Sequence, residues 1–126
     1  MLILSLMTKR ILYVEDEREF VELVAQEFNT KNYTYIHSAK LSEAAAKARN
    51  QKFDVIVTDI KLESGTGDQL IKTIKSNPQH MNYKTPVIVS SAYLTSDIIK
   101  SLHDKINKVL VKPHYASDIV TAIDSL

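Results

Sequence analysis

Five short runs rich in apolar and β-branched residues punctuate the chain from Arg10 onward, and each is followed by a longer amphipathic stretch. A strand apolar on both faces must be covered on both, and a helix between two such strands carries the chain back parallel. The repeat therefore predicts β-α units on a parallel sheet. Ile11 to Val14, Tyr33 to His37, Phe53 to Thr58, Val87 to Ser90 and Lys108 to Val111 read as strands. Asp16 to Asn29 reads as a helix that places Phe20, Val21, Val24 and Phe28 on one face. Helices are expected from about Leu41 to Asn50, where Ala44, Ala45 and Ala48 permit close approach, and from Gly67 to Ser76, with Leu70, Ile71 and Ile74 at helical spacing. Two more are expected from about Thr95 to Ile106 and from about Tyr115 to Leu126. The expected fold class is α/β, a doubly wound five-stranded parallel sheet with five helices.

A length of 126 residues allows one compact unit, and 44% hydrophobic residues suffice for its core. We expect that unit over residues 9–126, with residues 1–8 as an N-terminal extension and Met7 as a plausible alternative start. A net charge of +1 lacks the basic excess that draws a chain to nucleic acid or an anionic membrane, so neither is an expected partner. The absence of cysteine excludes disulfides and thiolate metal sites, and the four histidines form no i, i+4 pair. Only two glycines occur, Gly65 and Gly67, too few for a Walker loop or a three-glycine dinucleotide fingerprint. No apolar run approaches the ~18 residues of a membrane span, and the basic residues Lys9 and Arg10 follow the apolar start where a signal peptide has them first. The expected location is cytoplasmic.

Crossovers between parallel strands are right-handed, so the carboxyl ends of all strands open on one edge, where a ligand crevice forms. Glu15 and Asp16 follow the first strand, Asp59 the third, Ser91 the fourth and Lys112 the fifth. Two carboxylates ~4 Å apart repel by about 4 kcal/mol at an effective dielectric near 20, so three together call for a cation. Hard oxygen ligands suit Mg²⁺, which keeps waters and completes its shell with a substrate phosphate. Lys112 offers phosphoryl oxygens a point charge and Ser91 a hydroxyl donor, while Asp59 is placed to attack phosphorus. Taken singly, each feature has a plainer explanation: a helix start for Glu15-Asp16-Glu17, a turn for Asp59, strand-end polarity for Ser90-Ser91, a solvated surface lysine for Lys112. The conjunction at the ends of four strands favours the chemical one.

With these residues in place, the chain from about Lys9 to Leu126 resembles the receiver domain of two-component response regulators. Ile11-Leu12-Tyr13-Val14-Glu15-Asp16-Glu17 is similar to that family's first strand and acidic pair. Asp59 falls at its phosphoacceptor position, and Gly67, eight residues on, matches its glycine. Pro86 to Ala92 puts Ser91, not Ser90, at the Ser/Thr switch position, and Lys112-Pro113 matches the Lys-Pro signature, whose peptide bond is usually cis. The resemblance implies a flavodoxin-like sheet of strand order 2-1-3-4-5; the chemotaxis receiver is the standard example of that order. It also implies Mg²⁺ held by Asp16, Asp59 and the backbone carbonyl of Lys61, with Glu15 acting through water. The phosphoryl donor it implies is a sensor histidine kinase or a histidine phosphotransfer protein. Output would pass to a downstream effector protein through the face of the fourth helix, fifth strand and fifth helix, which also allows a homodimer. A chain ending at Leu126 would act as a single-domain regulator, as a phosphate shuttle, or as an excised part of a longer protein. It would be a signalling phosphoacceptor that assists its own phosphorylation and dephosphorylation, not a turnover enzyme. Lys61 and Tyr93 are expected to flank the hydrolytic water.

Three departures bear on output. Val109 stands where the family has its switch aromatic, His114 where Phe is common, and Glu63 where many members carry Pro. Tyr93 and Tyr115 are the aromatic side chains that could stand in at the switch. Among rival readings, an aspartyl-nucleophile phosphatase would carry a second Asp where this chain has Lys61. A flavin-binding module would need a hydroxyl- and glycine-rich loop where this chain has Glu15-Asp16-Glu17. A pseudo-receiver that only binds partners would not need all five phosphorylation positions filled.

Overall fold

The computed structural model describes residues 8–126, so the expected extension over residues 1–8 lies outside the described residues except for Thr8. The main sheet consists of β1 (Arg10–Val14), β2 (Thr34–Ser38), β3 (Val55–Thr58), β4 (Val87–Ser91) and β5 (Lys108–Val111). All are parallel, in the order β2-β1-β3-β4-β5. The helices are α1 (Arg18–Thr30), α2 (Leu41–Asn50), α3 (Gly67–Lys75), α4 (Ser96–Leu102) and α5 (Ala116–Asp124). Both the strand order and the doubly wound architecture agree with the expectation.

Strand alternation divides the core in two. Leu12, Val14, Ile56, Val87 and Val89 face α2, α3 and α4 through Ala44, Ala48, Leu70, Ile71, Ile74 and Leu102. Ile11, Tyr13, Val55, Val57 and Ile88 face α1 and α5 through Val24, Phe28, Ile119, Val120 and Ile123. Beyond the last core residue of each strand the next positions emerge at the carboxyl edge. Glu15 follows β1, Asp59 follows β3 and Lys112 follows β5, each in phase with the α1/α5 face.

Several boundaries differ from the expectation for local reasons. The second strand starts at Thr34 because the amide of Tyr33 closes α1 by donating to the carbonyl of Phe28 at 2.9 Å. The fourth helix stops at Leu102, where the amides of Lys105 and Ile106 both turn back onto the Leu102 carbonyl. An unexpected antiparallel pair, Lys61–Leu62 with Gly65–Thr66, folds the polar loop after Asp59 into a small hairpin. The long polar connection before Pro86 is tied down by the buried Asn82. Its Oδ1 accepts from the Phe53 amide and the Thr85 hydroxyl, both at 2.9 Å, and its Nδ2 donates to the carbonyls of Ala48 and Gln51. No helix among the described residues is long and apolar enough to cross a membrane.

Candidate functional site

Of the three carboxylates that the sequence places at the sheet edge, Glu15 and Asp59 are nearly inaccessible, 1% and 7% exposed, while Asp16 is half-buried. Their shared partner is Lys112, whose Nζ donates to Glu15 Oε1 at 2.5 Å and to Asp59 Oδ2 at 2.9 Å, with Glu17 Oε2 at 3.5 Å. Residues from three strand ends thus meet at one ammonium. Burial lifts the Glu15 carboxyl above its usual range, the Lys112 contacts oppose this in part, and the charge of Asp59 adds to it. Burial works against the Lys112 ammonium, but its hydrogen bonds to Glu15 and Asp59 prevail and raise it. The cation that the carboxylate crowding demands is therefore supplied, in this arrangement, by a side chain of the chain itself.

Backbone amides fix the orientation of each acid. Asp59 Oδ1 accepts from the amides of Ile60 at 2.6 Å and Lys61 at 3.3 Å. Glu15 Oε2 accepts from the amides of Asp16 and Glu17, and the Glu15 carbonyl meets Nε2 of His37 at 2.7 Å. Asp16 turns across the edge and accepts the amide of Glu63 at 2.8 Å, joining the β1 turn to the loop after β3. Ser91 is fully buried at the end of β4. Its Oγ accepts the amide of Tyr93 at 3.1 Å, and its carbonyl accepts the amide of Lys112 at 3.1 Å. The Lys112-Pro113 bond is cis. Exposed Lys61 places its ammonium 5.1 Å from the centroid of the Tyr93 ring.

Glu15, Asp59 and Lys112 are joined directly. Asp16, Lys61 and Ser91 surround them through backbone contacts. Among the described residues no three acidic or histidine side chains close into a ready-made metal cage. The donor set nevertheless fits Mg²⁺, which needs only one or two protein carboxylates when water and phosphate oxygens complete its octahedron. Sequence reasoning missed three neighbours: Glu17, the Phe20 ring, whose centroid lies 5.3 Å from Lys112 Nζ, and the bond between Ser90 and His114 at 2.7 Å. Glu17 and Phe20 flank the start of α1 beside the acidic pair, which was the available signal. Nothing in the spacing of Ser90 and His114 points to their pairing.

The profile of the response regulator receiver domain matches residues 11–124, so the chain belongs to that family. The response regulator GtcR of Aneurinibacillus migulanus is 33% identical over 86 residues, which are 68% of this chain and 34% of GtcR. The chain thus spans about a third of the length of that relative. A CheY-like receiver domain from Methanospirillum hungatei JF-1 superimposes with a TM-score of 0.83 at 24% identity, covering 94% of this chain and 92% of the other. The receiver domain of the sensor histidine kinase PA1611 from Pseudomonas aeruginosa PAO1 has a magnesium ion coordinated in its active site cleft. It superimposes with a TM-score of 0.79 at 22% identity, over 94% of this chain and 96% of that one. Receiver domains are signalling modules with a phosphoacceptor role, not classical enzymes, and they interact with histidine kinases or phosphotransfer proteins and with effectors.

Proposed function

We propose that the unit over residues 9–126 accepts a phosphoryl group on Asp59 from a phosphohistidine of a sensor kinase or phosphotransfer protein. A carboxylate oxygen of Asp59 attacks phosphorus, the P–N bond to the donor imidazole breaks, and its electron pair stays on the departing nitrogen. Asp16, Asp59 and the carbonyl of Lys61 would hold Mg²⁺, with Glu15 acting through water. The ion, when bound, supplies charge neutralisation for the phosphoryl oxygens. Lys112 would exchange its contact with Asp59 for one with a phosphoryl oxygen, and Ser91 would turn its hydroxyl to another. The face of α4, β5 and α5 would then present the change to an effector, or to a second copy.

The observation that carries this reading is the double contact of Lys112 with Glu15 and Asp59. A phosphatase of the aspartyl-nucleophile kind is disfavoured by Lys61, which stands where the second Asp is needed. The test is incubation with Mg²⁺ and a small phosphodonor, followed by intact-mass measurement. The wild type should gain one phosphate and Asp59→Asn none. Equal labelling of both would remove Asp59 from the role.

A further inference from the structure

Ser90 immediately precedes Ser91 on β4 and, by strand alternation, points to the opposite face of the sheet. There its Oγ meets Nε2 of His114 at 2.7 Å, while Nδ1 of the same ring meets the carbonyl of Tyr115 at 2.8 Å. A carbonyl only accepts, so Nδ1 carries a proton; in the neutral ring Nε2 is then an acceptor and the Ser90 hydroxyl donates to it. The Phe20 ring packs edge-on against the imidazole at a centroid distance of 5.3 Å. Tyr115 sits at the N-cap of α5, donates its amide to Asp118 Oδ2 at 2.8 Å, and exposes 80% of its surface.

These contacts give the end of β4 a polar connection to the start of α5. Val109 offers no ring for the aromatic route that the resemblance implies. We propose that Ser90, His114 and the Tyr115 peptide form a hydrogen-bonded relay that carries a movement of the β4 end to the start of α5 when Ser91 turns to the phosphoryl group. The proposal rests on the reading of Asp59 as the acceptor. Its physical basis is the narrow distance and angle range of a good hydrogen bond. A displacement of Ser91 shifts the neighbouring Ser90, Ser90 draws the ring, and the ring is tied to the peptide from which α5 begins.

The test compares wild type, Ser90→Ala, His114→Phe and His114→Gln, each treated with Mg²⁺ and a small phosphodonor. Phosphate gain is read by intact mass, and the shift of the Tyr115 and Ala116 amides on phosphorylation is read by NMR. None of the three substitutions replaces a residue assigned to phosphoryl transfer, so all four proteins should gain one phosphate. The amide shift should fall at least about twofold in Ser90→Ala and His114→Phe, the lower end of what substitutions along a coupling route produce. His114→Gln, which keeps an acceptor near the position of Nε2, should recover part of it. Phosphorylated Ser90→Ala and His114→Phe with the full wild-type shift would overturn the relay alone. A wild type that gains no phosphate would overturn the acceptor reading and the relay with it.

Discussion

The Cβ that Gly67 lacks would fall 1.9 Å from the carbonyl oxygen of Asp59. At that position α3 begins against the backbone of the candidate acceptor, and the Gly67 amide donates to the Ile60 carbonyl at 2.6 Å. The atom met is backbone, so it cannot swing aside. Gly67→Ala should cost about 1 to 3 kcal/mol of stability, in the range of overpacking, and should slow phosphoryl uptake by displacing Asp59. Urea denaturation with unchanged midpoint would show that the loop yields freely.

Lys112→Met removes the ammonium shared by two buried carboxylates. Without a divalent ion the loss should be about 3 to 5 kcal/mol, the usual cost of stranding a buried charge. Lys112 holds the already raised Glu15 carboxyl down, so its removal lifts that group further. The folded variant then binds a proton that the unfolded chain releases, and its stability falls as pH rises above the ordinary glutamate value of 4.5. Denaturation midpoints should show this steeper decline, with millimolar Mg²⁺ restoring part of the loss at neutral pH.

At the opposite end of the molecule Asp124 joins α5 to the end of α1. It pairs with Lys31 at 2.8 Å and accepts from the Tyr33 hydroxyl. Burial would raise the Asp124 carboxyl, but Lys31 and Tyr33 outweigh it and hold it low. Its contribution is present above the ordinary value of 3.8 and lost as pH falls through the depressed one. Burial first, and Asp124 second, push the Tyr33 hydroxyl up to about 12, so its contribution is present below 10.0 and fades as pH rises through about 12. The melting-temperature gap between wild type and Asp124→Asn should therefore be widest between these limits, close as pH falls through the depressed Asp124 value, and narrow as pH rises towards about 12. A gap independent of pH would contradict the assignment.

Lys61 and Tyr93 form an exposed cation–π contact above the site, worth about 0.5 to 1 kcal/mol at a separation of 5.1 Å. Replacing both with alanine should lower the melting temperature by no more than about 4 °C while altering the half-life of the aspartyl phosphate. An unchanged half-life would discard their role in admitting water.

How much of this was legible in the sequence depended on whether local pattern or tertiary contact decided the outcome. The strand cores from Ile11 to Val14 and from Val87 on declared themselves by β-branched runs, and the edge residues Glu15, Asp59 and Lys112 followed from where those runs end. Their direct union at one ammonium was not legible, since it depends on side-chain conformations at three strand ends. The hairpin of Lys61–Leu62 with Gly65–Thr66 is too short for any period. The roles of Asn82 and of the Ser90–His114 bond depend on partners 20 to 35 positions away in the chain, such as Ala48 at a separation of 34 and His114 at 24. In the sequence His114 is only a departure from the receiver pattern, whereas in the fold both of its ring nitrogens are hydrogen-bonded.

In the proposed phosphorylation, Lys112 leaves Asp59 for a phosphoryl oxygen while oxygen ligands gather a divalent ion. A crystal structure with Mg²⁺ and beryllofluoride reads this directly. It should place beryllium on an Asp59 oxygen, Lys112 and Ser91 on fluorines, and Mg²⁺ on Asp16, Asp59 and the Lys61 carbonyl. A structure obtained under those conditions with Lys112 still bridging Glu15 and Asp59, and neither beryllium nor magnesium beside them, would contradict it.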